Sequence, residues 1–266
     1  MIFEDDEKFS STKSKYTYKL ELDSSTYNDA SSIVVQLKAT DNKGEAWKSE
    51  KFKYNITGKT VTVTTSGVIG SKMSRKFGYF SNTFKDVKAS QWFYPYVVTT
   101  YEYNLLLGSN GYFKPTGNIT VAETIALASR LNVIYEGKTE NFDQTKGTNW
   151  YDTYVDYAKK NYIITDTMFS NYNKAITREE FVKVMYNAIP AKEYEAINYI
   201  KMNEIPDYKV IDKYADEVYT FYNAGILTGT DRWGTFKPQN KITRAEVAAI
   251  VTRQAKLTDR EYFTIK

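Results

Sequence analysis

The sequence predicts an α+β, multidomain chain, with an antiparallel β module over residues 1–80 followed by an all-α region of three helix-loop-helix repeats. Three observations carry this reading. Residues 1–80 alternate polar and apolar side chains, the apolar spacing turns helical beyond residue 82, and Ile-Thr-x-x-Glu recurs at Ile119, Ile176 and Ile242.

In the first 80 residues, "KYTYKLEL", "SIVVQLKA", "SEKFKYNI" and "TVTVTT" alternate with a period of two and are rich in β-branched and aromatic residues. Each is expected to be a strand. The stretch Asp41–Gly44, "DNKG", is expected to turn a hairpin. Only these four strands are visible, against about seven in an Ig-like sandwich, so the segment reads as an Ig-like module cut short. "VIGSKMSRKFGYFSN", from Val68 to Asn82, is expected to be a linker.

Each repeat opens on an apolar residue beside an aspartate: Phe84 with Asp86, Phe142 with Asp143, and Ile205 with Asp207. A first helix is expected over Trp92–Asn104, Trp150–Asn161 and Lys213–Ala224. Gly108 and Gly229 follow, where a chain leaving a helix favours positive φ. Repeats one and three then share Phe-Lys-Pro, at Phe113 and Phe236. The second helix starts at a capping box, Thr120 with Glu123, Thr177 with Glu180, and Thr243 with Glu246. Its apolar stripe runs through Leu127, Ala128 and Leu131, then Phe181, Val184, Met185 and Ala188, then Val247, Ile250 and Val251. Hairpins this small bury little alone, so the three are expected to pack on one another.

Composition excludes several chemistries. The chain has neither cysteine nor histidine, which removes disulfides, Cys/His metal sites and Ser-His-Asp catalysis. Its 36 basic and 32 acidic residues are dispersed, without the basic stripe of a nucleic-acid binder. No apolar run is long enough for a membrane span, and the acidic N-terminus is no secretory signal. Carboxylate neighbours such as Asp212 with Asp216, or Glu179 with Glu180, sit on expected helix faces, and no spacing singles out a catalytic pair. "DNKGE" and "GTDRWG" lack the ligand ladder of a calcium loop, so no metal is assigned.

The run Phe84-x-Asp86, Trp92, Gly108, Gly111-x-Phe113-x-Pro115 and Ile119-Thr120-x-x-Glu123, with the copies ending in "ITREE" and "ITRAE", resembles S-layer homology repeats. The likeness covers about residues 82–257, read as repeats 82–137, 140–195 and 203–260. It implies a pseudo-threefold unit around a central helix bundle, with grooves that hold pyruvylated secondary cell wall polysaccharide non-covalently. It also implies a non-enzymatic, cofactor-free anchor of an extracellular protein, attached to the cell wall and part of a larger exported chain. Nucleic acid and membrane insertion are not expected. Two rival readings are a surface-lattice protein that self-associates and the anchoring tail of a wall-active glycoside hydrolase whose catalytic domain lies elsewhere.

The resemblance bears most on Arg178 and Arg244, at the first helical position, where capping does not explain a cation and the helix dipole mildly opposes it. A helix N-terminus with an arginine fork suits a carboxylate, here the polymer's pyruvyl group. The alternative is that each pairs with a carboxylate of a neighbouring repeat. On the ligand reading, removing Arg244 should change stability little. Trp92 and Trp150 either stack on sugar or anchor the first helix, and Gly108 and Gly229 either admit sugar to the backbone or serve the turn alone. Thr120, Glu123, Thr177, Glu180, Thr243 and Glu246 are capping residues. The second repeat lacks the Gly-x-Phe-x-Pro loop, the first has Val121 in place of arginine, and the third has Lys213 in place of tryptophan.

Overall fold

The computed structural model describes residues 84–265 apart from 139, 141 and 144, together with the backbone of six strands within residues 1–83. The chain divides into two compact units, Met1–Tyr94 and Pro95–Lys266.

The strands are β1 (Ile2–Asp5), β2 (Lys15–Glu21), β3 (Ile33–Asp41), β4 (Phe52–Thr57), β5 (Thr60–Ser66) and β6 (Met73–Ser81). They pair as two antiparallel three-stranded sheets ordered β1-β6-β3 and β2-β5-β4. The expected fold class is corrected here, because no Ig-like β module is seen among the described residues, and those within 84–265 are helical, without a strand. Alternation shows that a strand has two unlike faces, but it does not name the partner. The expected Asp41–Gly44 hairpin fails for that reason, since β3 and β4 on either side of it lie in different sheets. The tight hairpin instead joins β4 to β5, with Thr57 opposite Thr60. The expected linker contains β6, the middle strand of its sheet.

Among the described residues six α-helices follow: α1 (Tyr94–Glu102), α2 (Val121–Tyr135), α3 (Asp152–Lys160), α4 (Arg178–Tyr186), α5 (Ala215–Asn223) and α6 (Arg244–Ala255). They match the expected first and second helices of each repeat to within a few residues. The even-numbered helices form the core. α2 buries residues all around its surface, including Val121, Ile125, Leu127, Ala128 and Leu131, as an internal helix must. All the expected stripe residues of α4 and α6 are buried as well.

The Ile-Thr motif owes its isoleucine to the junction of the repeats. Ile119, Ile176 and Ile242 are each fully buried. Isolated antiparallel bridges link Asn118 to Thr243, Thr120 to Ala175 and Thr177 to Lys241. Ile119 donates its N–H to Ile242 O (3.1 Å), and Ile176 donates to Ile119 O (3.1 Å). The three helix entries are therefore stitched together just ahead of their caps.

Helices α1, α3 and α5 end alike. Asn104, Tyr162 and Gly225 adopt positive φ of 54°, 59° and 69°. The next residue donates back five positions, Leu105 to Thr100 O, Ile163 to Ala158 O and Ile226 to Phe221 O, each within 2.9 Å. This is the Schellman exit, with a buried apolar residue after the turn. Gly108 (φ 66°) and Gly229 (φ 82°) come four residues later and shape the following loop rather than the helix end.

Candidate functional site

The three capping boxes form as expected, each threonine accepting from the N3 backbone N–H while the N3 glutamate accepts from the cap. Every glutamate then uses its second oxygen for a cation from another repeat or a preceding loop. Glu123 Oε2 accepts from Thr120 N–H (2.8 Å) while Oε1 accepts from Arg244 Nη1 (2.9 Å). Glu246 Oε2 accepts from Thr243 N–H (2.9 Å) while Oε1 accepts from Arg178 Nη1 (2.7 Å). Glu180 Oε2 accepts from Thr177 N–H (3.0 Å) while Oε1 accepts from Lys174 Nζ (3.0 Å). Lys174 thus supplies the charge that Val121, fully buried, does not. Burial opposes ionisation of Glu180, but the Thr177 N–H, the Lys174 ammonium and the Thr177 hydroxyl outweigh it and hold the carboxyl below its ordinary range.

The arginines are also fixed from behind. Arg244 Nε donates to Phe113 O (2.8 Å), with its guanidinium 5.2 Å above the Phe113 ring. Arg178 Nε donates to Phe236 O (2.7 Å), with its guanidinium 5.6 Å above the Phe236 ring. Phe-Lys-Pro therefore recurs because its phenylalanine seats the arginine of another repeat. The same loops occupy the helix N-termini: Arg244 and Ala245 donate N–H to Gly117 O and Pro115 O, and Arg178 and Glu179 donate to Asn240 O and Pro238 O. At α2, Val121 and Ala122 donate to Lys174 O and Tyr172 O. These N–H groups are committed to carbonyls, so the positive charge near each entry comes from the side chain rather than from open helix ends.

Both arginines accordingly make the inter-repeat carboxylate pair that the sequence left as the alternative. Their side chains are 5% exposed for Arg178 and 11% for Arg244. Loss of a buried partner is costly, so the expectation that stability would barely change on removing Arg244 does not hold for this geometry.

The tryptophans are not buried anchors. Trp92 is 60% exposed and meets Phe93 edge-on, and Trp150 is 41% exposed and meets Tyr151 and Tyr154 edge-on. The residue that follows each of these positions is a buried aromatic: Phe93, Tyr151 and Tyr214. In the third repeat the Lys213 ammonium lies 4.8 Å from the Tyr214 ring centre. In sequence this aromatic is masked by the neighbouring Trp92 and Trp150. Gly229 is required by close approach, since a Cβ there would lie 2.5 Å from the carbonyl carbon of Gly234. Asp207 ties the start of the third repeat to its loop by accepting from Phe236 and Lys237 N–H, each at 2.7 Å.

Among the described residues no cluster of acidic side chains is placed to hold a metal ion, and no helix is long and apolar enough to cross a membrane. A family model described as "S-layer homology domain" matches residues 83–134 and 204–248. An endoglucanase of Bacillus sp. (strain KSM-635) is 29% identical over 175 residues, which is 64% of this chain and 18% of that protein. An amylopullulanase of Thermoanaerobacterium thermosulfurigenes is 28% identical over 181 residues, 65% of this chain and 9% of that protein. Exoglucanase XynX of Acetivibrio thermocellus is 26% identical over 217 residues, 79% of this chain and 18% of that protein. The chain thus spans less than a fifth of the length of each. The family match places S-layer homology domains at residues 83–134 and 204–248, a domain type associated with the cell surface.

Proposed function

We propose that this chain anchors an exported protein to the bacterial cell wall by binding pyruvylated secondary cell wall polysaccharide, with residues 82–137, 140–195 and 203–260 acting as three repeats of one binding unit. The S-layer homology match to the first and third repeats carries the proposal. Arg178 and Arg244 offer the polymer's carboxylate a guanidinium held between repeats, and the bound carboxylate joins or displaces Glu246 or Glu123. Trp92 and Trp150, left exposed, offer ring faces to sugar. Gly108 and Gly229, both at positive φ and without a side chain, admit sugar to the loop backbone. The unit itself performs no catalysis. The test is co-sedimentation of the purified chain with cell walls before and after the polysaccharide is stripped. Binding lost on stripping, without release of reducing sugar, is the expected result, whereas equal binding to stripped walls contradicts the proposal.

A second reading concerns the protein beyond this chain. Three relatives bear the names of polysaccharide-degrading enzymes and match over a small share of their length. That favours the anchoring tail of a wall-attached glycoside hydrolase over a lattice protein.

A further inference from the structure

The sequence stretch Gly229–Gly234, "GTDRWG", forms no part of the inter-repeat clasps, yet it is braced from several sides. The Asp231 carboxylate accepts from the N–H groups of Trp233 (3.0 Å) and Thr235 (3.1 Å), and Asp231 O accepts from Gly234 N–H (3.1 Å). Thr230 donates N–H to Thr235 O (2.8 Å). From below, the buried Tyr222 hydroxyl donates to Gly234 O (2.9 Å). The hydroxyl and N–H of Thr235 and the N–H of Trp233 hold the Asp231 carboxyl below its ordinary range, so the brace stays charged at neutral pH.

What this framework presents is an indole. Trp233 is 48% exposed, and the Arg232 guanidinium lies 4.4 Å from its ring centre. With the guanidinium over one face of the ring, about half of the Trp233 surface stays open to solvent. The turn continues directly into Phe236, Pro238 and Asn240, the carbonyls that hold Arg178 and the first N–H groups of α4. An aromatic plane beside a cation suits a sugar ring, whose C–H face stacks on the indole while hydroxyls or a carboxylate meet the guanidinium. Because the turn is already ordered, little conformational entropy is lost on binding.

We propose that Trp233, flanked by Arg232, is a stacking platform for a pyranose ring of the wall polysaccharide, extending the polymer contact outward from the Arg178 interface; this rests on the wall-binding reading above. The test titrates purified wall polysaccharide into the full chain, Trp233→Ala and Trp233→Phe, with a thermal melt of each. Trp233→Ala should bind roughly three- to tenfold more weakly, and Trp233→Phe within about twofold of the parent, with melts unchanged. Hydroxyl-radical footprinting of the unsubstituted chain supplies a readout that needs no variant, and Trp233 should be protected when the polysaccharide is present. Parental affinity in Trp233→Ala, or an unprotected Trp233 in a chain that binds, overturns the platform and leaves wall binding standing. A parent chain that does not bind the polysaccharide removes both.

Discussion

Glu123, Glu180 and Glu246 each close a cap with one oxygen and hold a cation with the other, so a single carboxylate fixes both the start of its helix and a second segment of the chain. The capping half was legible in sequence because Thr-x-x-Glu is local. The cation half was legible only as an alternative for Arg178 and Arg244, and Lys174 was missed, because nothing in a loop sequence says which carboxylate it faces. Removing Arg178 leaves Glu246 without its cation and opens a gap over Phe236. Arg178→Ala is therefore expected to lower stability by about 3 kcal/mol. Arg244→Ala, at the more exposed pair, should cost somewhat less, and urea denaturation of both variants checks the order. A more stable Arg178→Ala would show that the clasp is a net burden. Glu180 adds a pH signature. Its folded carboxyl ionises below the ordinary 4.5, so its contribution is full above that pH and is lost as pH falls through the lower folded value. Melts from pH 6 down to pH 3 should show a smaller acid loss for Glu180→Gln than for the parent.

At the scale of elements, the six helices were readable from apolar spacing and caps, and their ends were less so. The Schellman exits fall at Asn104, Tyr162 and Gly225, and only one of these is the glycine that such a turn favours. Tyr162 holds positive φ with 88% of its surface exposed. Tyr162→Gly relieves the left-handed strain at little loss of contact and should raise stability by about 1 kcal/mol. An unchanged or lower melting temperature would mean that the tyrosine makes a compensating interaction. Two other glycines make a contrast. At Gly137 (φ 61°) a Cβ would meet nothing within 4 Å, whereas at Gly229 (φ 82°) it would strike the Gly234 backbone. Both pay for the left-handed backbone when substituted, but only Gly229→Ala must also push the turn apart. It should cost about 1–2 kcal/mol more than Gly137→Ala in matched melts.

For the whole molecule, the repeat count and the helical region could be read from the recurrence of one five-residue motif. The sheets could not, because period-two alternation in residues 1–80 leaves pairing unspecified, and β6 carries the "FGYFS" stretch that reads as linker. The closure was legible only as the alternative pairing of Arg178 and Arg244, and the loops that complete it were not. The Gly111–Gly117 loop seats Arg244, the Phe236–Asn240 loop seats Arg178, and the Tyr172–Lys174 loop caps α2, so each repeat completes another's helix entry. That closure places a guanidinium at two of the three junctions, the proposed points of contact with the wall polymer. Calorimetric titration of the full chain with wall polysaccharide, before and after removal of its pyruvyl groups, tests this most directly. Saturable binding that weakens by at least about tenfold on pyruvyl removal is the predicted result, and equal affinity for the two polymers would contradict it.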